Sequence, residues 1–299
     1  MEKYLQLIRE GFAKEIDPCK DPEMQEEWAR FGIFVAHHLY QMIRKWRFRI
    51  DAIDEAEKAD GSPTTALELE MEHFAKSALE RFHAPAQFLG EESGGDADTS
   101  GFLFVIDPID GTRSFLSGFE TYSITLSVLK NRVPLFSLVC VPSSSDVYFR
   151  IGSGQSMLFQ IPTADQPLEV YKMPLFQRSE DQPILVNLHP SVESLPYLER
   201  LFDLWYQGDI SLLKSVSGSP SLLMVEAAKT GTFYVNSWKT GPTRPYDLIP
   251  ALHIVEASNC LALRRDGEQV DVWNHQGVYI VGPRGKRLDM LLKTMPYLH

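Results

Sequence analysis

Three observations in the sequence predict a mixed α/β chain. Apolar residues recur at helical spacing near the start, a series of short apolar runs broken by turns fills the middle, and strand-like and helix-like segments alternate from about residue 184 onward. Neither an all-helical bundle nor an all-β sandwich accounts for all three.

The elements follow in order. Residues 1–16 and about 22–57 read as helices. In the second, Trp28, Phe31, Val35, Leu39, Met42 and Trp46 form a stripe expected to lie in the core. A polar break at 58–63 precedes a third helix, Thr65 to Phe82, with Leu69, Phe74 and Leu79 on its expected inner side. Ala86–Leu89 and Phe102–Ile106 read as short strands, separated by a Gly- and Asp-rich loop. Strands are expected at Tyr122–Leu129, Leu135–Val141 and Val147–Ile151. Residues 152–182 show no clear period and read as a variable excursion. A strand at Ile184–Leu188 and a helix over about 191–206 come next. Ser219 can cap, and Pro220 can open, a helix over about 220–229. Thr232–Asn236 reads as a strand, Tyr246–Ala257 as a helix, Gly277–Val281 as a strand, and Leu288–Leu292 as part of a closing helix. No linker is long enough to separate autonomous domains, so the chain reads as one unit of two halves, 1–152 and 153–299.

Composition narrows the class. No apolar run approaches the roughly 20 residues needed to span a bilayer. The first 15 residues are charged throughout and lack the apolar centre of a signal peptide, so a cytoplasmic location is expected. Three widely spaced cysteines, Cys19, Cys140 and Cys260, make neither a disulfide framework nor a zinc pattern and are expected to be reduced and mostly buried. A net charge of −11 argues against a nucleic-acid surface. It also repels any phosphorylated ligand unless cations are held locally, which a cluster of acids around Mg²⁺ would achieve.

The segment 102–112, Phe-Leu-Phe-Val-Ile-Asp-Pro-Ile-Asp-Gly-Thr, concentrates the chemistry. An apolar strand runs into a turn that carries Asp107 and Asp110, a spacing that lets both carboxylates face one point. Hard cations such as Mg²⁺ prefer oxygen ligands of this kind. Gly111 and Thr112 then open a helical turn whose N–H groups can hold a phosphate. Asp-Pro and Asp-Gly are also common turn pairs with no such role. Glu91 and Glu92, in Gly-Glu-Glu-Ser after a strand, offer a third acid or merely a solvated loop. Asp247, in Pro-Tyr-Asp, opens an apolar helix as a ligand or as an ordinary cap.

Taken together and in order, these segments resemble the inositol monophosphatase family of metal-dependent, lithium-sensitive phosphatases. The resemblance runs from about Lys58 to Ala257, and Asp-Pro-Ile-Asp-Gly-Thr with Gly-Glu-Glu-Ser upstream is its specific part. It implies a layered αβαβα sandwich, a homodimer and two or three Mg²⁺ ions per site. Their expected ligands are Glu91, Asp107, the carbonyl of Ile109, Asp110 and Asp247. Gly111 and Thr112 are expected to hold the substrate phosphate, and Asp60 with Thr112 to orient the attacking water. Thr65, Glu68 and Glu92 are expected to support the ligands from behind. The implied reaction is hydrolysis of a small phosphorylated metabolite by a metal-activated water, without a covalent phosphoenzyme. The apolar strands near 102–106 and 133–149 offer an interface for a second copy.

The sequence departs from the family pattern in four places. Thr65-x-x-Glu68 stands where Thr followed by Asp is usual, and Tyr246 replaces a Trp. Ser258-Asn259 replaces a Gly-Gly after the helix, where Asn can adopt a left-handed conformation. Residues 237–244 replace the loop that recognises sugar or inositol. Ser217, Gly218, Ser219, Asn236, Lys239 and Arg244 are the candidate substrate contacts, with Lys239 and Arg244 placed either against a second anionic group or simply at the surface. Arg113-Ser114-Phe115 and Pro245-Tyr246-Asp247 resemble the histidinol-phosphate and nucleotide 3′-phosphatase branches. These departures leave open a second reading, a weak or inactive relative that binds a phosphorylated ligand or a protein partner.

Overall fold

The computed structural model describes residues 22–58, 61–82, 86–95, 100–161, 169–174, 183–187, 195–210, 213–236 and 244–294. The helix expected at 1–16, Cys19, Asp60 and Lys239 lie outside the described residues. The chain opens with α1 (Pro22–Trp46), a 3₁₀ turn (Ile50–Ala52) and a hairpin of β1 (Glu55–Glu57) and β2 (Pro63–Thr65). Next come α2 (Ala66–Arg81), β3 (Ala86–Gly90), β4 (Phe102–Asp110) and the short α3 (Thr112–Leu116). Five strands follow: β5 (Ser123–Lys130), β6 (Val133–Val141), β7 (Asp146–Ile151), β8 (Met157–Gln160) and β9 (Val170–Lys172). The remainder alternates: β10 (Ile184–Asn187), α4 (Leu195–Gln207), β11 (Leu213–Val216), α5 (Pro220–Thr230), β12 (Phe233–Asn236), α6 (Pro245–Glu256), β13 (Cys260–Arg264), β14 (Tyr279–Pro283) and α7 (Lys286–Thr294).

Two larger sheets organise the layers. The first has order β3-β4-β5-β6-β7-β8-β9, parallel only between β3 and β4. The second has order β11-β10-β12-β14-β13, with β10 parallel to both of its neighbours. Three apolar clusters fill the spaces between five layers. Trp28, Leu39 and Ile43 of α1 and Met71 of α2 pack on Phe104, Leu126, Phe136 and Phe149 of the first sheet. Val139, Tyr148 and Leu158 on its other face meet Met224 of α5, Leu248 and Leu252 of α6, and Tyr234 and Tyr279 of the second sheet. The far face of the second sheet, with Val186, Val235 and Ile280, is covered by Leu201 of α4 and Leu288 and Leu291 of α7. The expected αβαβα sandwich is thereby realised.

Several expectations are corrected. The helix expected over 22–57 stops at Trp46, because residues 55–57 pair with 63–65 as a hairpin whose turn lies in the 58–63 break. On α2 the inner face is not Leu69, which is half exposed at 51%, but Leu67, Glu68, Met71, Glu72, Ala75 and Leu79. The unassigned stretch 152–182 contains β8 and β9, which extend the first sheet past residue 152. Strands β11 and β13 carry no clear sequence signal. The strands near 102–106 and 133–149 place Phe104, Val105, Ile106, Phe136, Leu138 and Phe149, all fully buried, in the chain's own core. They therefore present no large apolar face to a second copy. Cys140 and Cys260 are buried free thiols, as expected, and burial pushes the Cys260 thiol up to about 12. No helix among the described residues is long and apolar enough to cross a membrane.

Candidate active site

The site forms at the end of β4. Along this strand Leu103, Val105 and Asp107 alternate onto the face opposite Phe104 and Ile106. Strict alternation would then turn Asp110 away from Asp107. A bulge prevents this: Asp107 pairs with Thr125 and Asp110 with Ser123, so three steps on β4 match two on β5. Pro108, which has no N–H to give to a ladder, sits inside the bulge. Partners across a ladder share a face, so both aspartates point the same way.

Each acid is then fixed by its own contacts. Asp107 Oδ1 accepts from the N–H of Ile109 at 2.9 Å. Asp110 Oδ2 accepts from Ser219 Oγ at 2.5 Å and from the N–H of Ser221 at 3.0 Å, at the start of α5. Asp247, at the start of α6, accepts through Oδ2 from the N–H of Arg244 at 2.9 Å. Asp107 and Asp110 are buried. Burial, reinforced by the Glu91 and Asp110 charges, holds the Asp107 carboxyl well above the usual carboxylate range. Burial pushes Asp110 up to about 6 against the opposing hydrogen bonds from Ser219 and Ser221. Asp247 is raised by burial and by the Asp110 and Glu91 charges. Asp107, Asp110 and Asp247 therefore each feel the Glu91 charge.

Glu91 follows β3, and its Oε1 lies 2.8 Å from Lys58 Nζ; the same ammonium reaches Glu92 Oε1 at 2.7 Å. Burial alone would lower the Lys58 pKa, but the hydrogen bond to Glu91 and the ion pair with Glu92 outweigh this and raise it. The Glu91 loop is clamped by Glu72 of α2, which accepts from the N–H groups of Glu92 and Ser93, both at 2.8 Å, and from Ser93 Oγ at 2.6 Å.

Thr112 opens α3, and its hydroxyl donates to Glu68 Oε1 at 2.7 Å with a longer approach to the Ile109 carbonyl at 3.1 Å. Glu68 Oε2 accepts from the N–H and the hydroxyl of Thr65, both at 2.8 Å, completing a capping box at the start of α2. Burial pushes Glu68 up to about 7, the Thr112 bond pulling against it and the Glu92 charge adding to it. Thus Glu68, expected in a supporting role, meets Thr112 directly, while Asp60, expected there, lies outside the described residues.

Gly111 precedes α3 with φ of 95°, and a Cβ there would lie 2.8 Å from the Ser219 nitrogen. Only glycine fits this close approach of the β4–α3 turn to the 217–219 segment. Ser219 is buried and occupied: it caps α5 through Leu222 N–H at 2.9 Å and bonds Asp110 and Ser123. Its role is to hold Asp110. Ser217 is exposed, and its carbonyl accepts from Thr121 Oγ1 at 2.7 Å. Asn236 ends β12 on the face shared by Tyr234 and Tyr279, and its buried Oδ1 has no hydrogen-bond partner among the described residues. Arg244 is exposed immediately before α6. Asn259 has φ of 59°, so the left-handed turn expected after this helix is present.

The donor set suits a hard divalent cation, because every side chain offered is a carboxylate. Among the described residues, no three His, Cys, Asp or Glu side chains form a group that could hold a metal ion. The pair Asp107 and Asp110, turned to one face, offers the one or two carboxylates with which Mg²⁺ is commonly held together with water and substrate phosphate.

Reasoning from sequence missed Lys58, Glu72 and Ser221. For Glu72 a signal existed: it follows Glu68 by four residues, on one face of the helix with Met71 and Ala75.

The family model for the inositol monophosphatase family matches residues 24–296. Among curated relatives, a histidinol-phosphatase of Mycobacterium tuberculosis is 31% identical over 99 residues, covering 32% of this chain and 38% of that protein. Inositol monophosphatase 2 of Saccharomyces cerevisiae is 30% identical over 123 residues, 40% of each chain. The matched segments thus span less than half the length of these relatives. The crystal structure of the extragenic suppressor protein SuhB from Bartonella henselae superimposes with a TM-score of 0.74 at 14% identity, covering 90% of this chain and 98% of that one. The Thermotoga maritima inositol monophosphatase gives 0.69 at 17% identity, with 89% and 95% covered. These structural matches concern the fold.

Proposed function

The chain belongs to the inositol monophosphatase family, and from that premise we propose that it hydrolyses a small phosphomonoester with the help of Mg²⁺. The observation that carries this reading is the meeting of Thr112 and Glu68 beside the bulge that turns Asp107 and Asp110 to one face.

Glu91, Asp107, the Ile109 carbonyl, Asp110 and Asp247 would hold two or three Mg²⁺ ions. When bound, Mg²⁺ supplies charge neutralisation at the phosphate and a lowered pKa for water. The chain's own residues do the remaining work. The N–H groups at Gly111 and Thr112 receive the phosphate oxygens. Glu68, bonded to Thr112, accepts the proton of the attacking water through the Thr112 hydroxyl or directly. Glu68 would share this role with Asp60, the acid the sequence offers for it. Ser219 and the start of α5 fix Asp110 so that it need not reorganise during the reaction. Asn236 Oδ1 is a buried acceptor suited to a substrate hydroxyl or amine. Lithium inhibition, a cytoplasmic location and pairing of two copies belong to the same proposal.

The test is phosphate release, with and without Mg²⁺, from inositol 1-phosphate, histidinol phosphate, adenosine 3′,5′-bisphosphate and fructose 1,6-bisphosphate. Magnesium-dependent release that lithium blocks is expected. Absence of release from all four, in protein that binds Mg²⁺, would favour a relative that binds phosphorylated ligands without turning them over.

A further inference from the structure

Glu91 is expected to ligate metal, yet its carboxylate already has a cation. Lys58 Nζ stands 2.8 Å from Glu91 Oε1 and 2.7 Å from Glu92 Oε1, and among the described residues it is the one side-chain cation in ion-pair contact with the acids of the site. Its position is built in. The Lys58 N–H donates to the Ser62 carbonyl at 2.8 Å, and the Lys58 carbonyl accepts from Gly61 N–H at 2.9 Å, closing the turn of the β1–β2 hairpin. Arg113 of α3 then ties that turn down by donating to the Gly61 carbonyl at 2.7 Å. The ammonium is thus delivered to the glutamates by a fixed backbone.

The two glutamates differ in what else they touch. Glu91 faces Asp107, and its charge acts on Asp107, Asp110 and Asp247. The Glu92 side chain is only 3% exposed and borders Glu68, and its backbone is clamped to Glu72. One glutamate therefore belongs both to Lys58 and to the aspartates, while the other belongs to Lys58 and the α2 side.

We propose that Lys58 and a divalent cation compete for Glu91, and that the ammonium withdraws to Glu92 when the cation binds. The reading rests on the metal-dependent function proposed above and adds a positioning residue that sets how tightly the ion is held. Two positive charges on one carboxylate oxygen repel at short range, and Glu92 offers the ammonium an alternative within the reach of one side chain. Lys58 then holds the Glu91 carboxylate in place before the ion arrives, and weakens the ion's hold afterwards.

The experiment is isothermal titration of Mn²⁺ into the wild-type chain and Lys58→Met, with a crystal structure of the wild-type chain soaked in Mn²⁺. Removing the competitor is expected to tighten Mn²⁺ binding by about three- to tenfold, on the scale of a partly buried ion pair. In the crystal, Lys58 Nζ should lie beyond ion-pair distance from Glu91 and still contact Glu92. Unchanged or weaker binding in Lys58→Met, or an ammonium still on Glu91 beside the bound ion, overturns the competition and leaves the metal reading standing. Failure of both proteins to bind Mn²⁺ at millimolar concentration removes the metal reading and the competition together. If Lys58→Met does not fold, the Mn²⁺-soaked wild-type structure decides alone.

Discussion

Thr112 Oγ1 and Glu68 Oε1 lie 2.7 Å apart across 44 residues of sequence, joining the first residue of α3 to the first turn of α2. Because Glu68 also caps α2 through Thr65, one carboxylate fixes a helix start and meets the candidate water-orienting hydroxyl. Glu68→Gln retains the size of the side chain but removes the base. Turnover is expected to fall by about 10²- to 10⁴-fold, with about 1 kcal/mol of stability lost from the weakened cap. Steady-state kinetics beside urea denaturation separates the two effects.

Asp110→Asn tests the metal assignment. The amide still fits beside Ser219 and Ser221, so circular dichroism should show the fold retained while turnover is nearly abolished. Unchanged hydrolysis would mean that Asp110 holds no essential ion.

The raised carboxyl pKa values predict how stability depends on pH. Asp110 lies at about 6, Glu68 at about 7, and Asp107 and Asp247 are raised well above their usual values. Above pH of about 4 the unfolded chain releases protons that the folded chain retains. Without metal, stability should therefore fall as pH rises from about 5 to 8. A divalent ion competes with those protons, so the rise in Tm on adding 10 mM Mg²⁺ (chosen as about saturating) should be larger at pH 8 than at pH 5. Melting curves in Mg²⁺ and in EDTA at both pH values check this; an equal rise at both would contradict it.

Gly218 has φ of 144°, and a Cβ there would fall 2.2 Å from the Thr121 carbonyl oxygen. Gly218→Ala should cost about 2 kcal/mol or more and displace Ser219 from Asp110. Chemical denaturation should show the loss of stability, and Mg²⁺ titration should show weakened binding in whatever fraction remains folded.

The sequence by itself determined the family, the layered architecture and the chemical identity of the acids. Asp107, Asp110 and Gly111 were legible because strand, turn and helix start are local features written in one short segment. The caps at Ser219 and Asp247 were legible for the same reason. Tertiary structure alone decided what these residues do to one another. Helical periodicity suggested that Leu69 faced inward, but the inner face of α2 carries Glu68 and Glu72, because Thr112 and the Glu91 loop come from elsewhere in the chain to bond them. Lys58 belongs to an unremarkable polar turn until the hairpin brings its ammonium to Glu91 and Glu92. Apolar spacing reports which side of an element meets oil, and that depends on near neighbours in sequence. The donors that reach Glu72 from the Glu91 loop and Glu68 from Thr112 come across 20 to 44 residues, and no local pattern encodes those contacts.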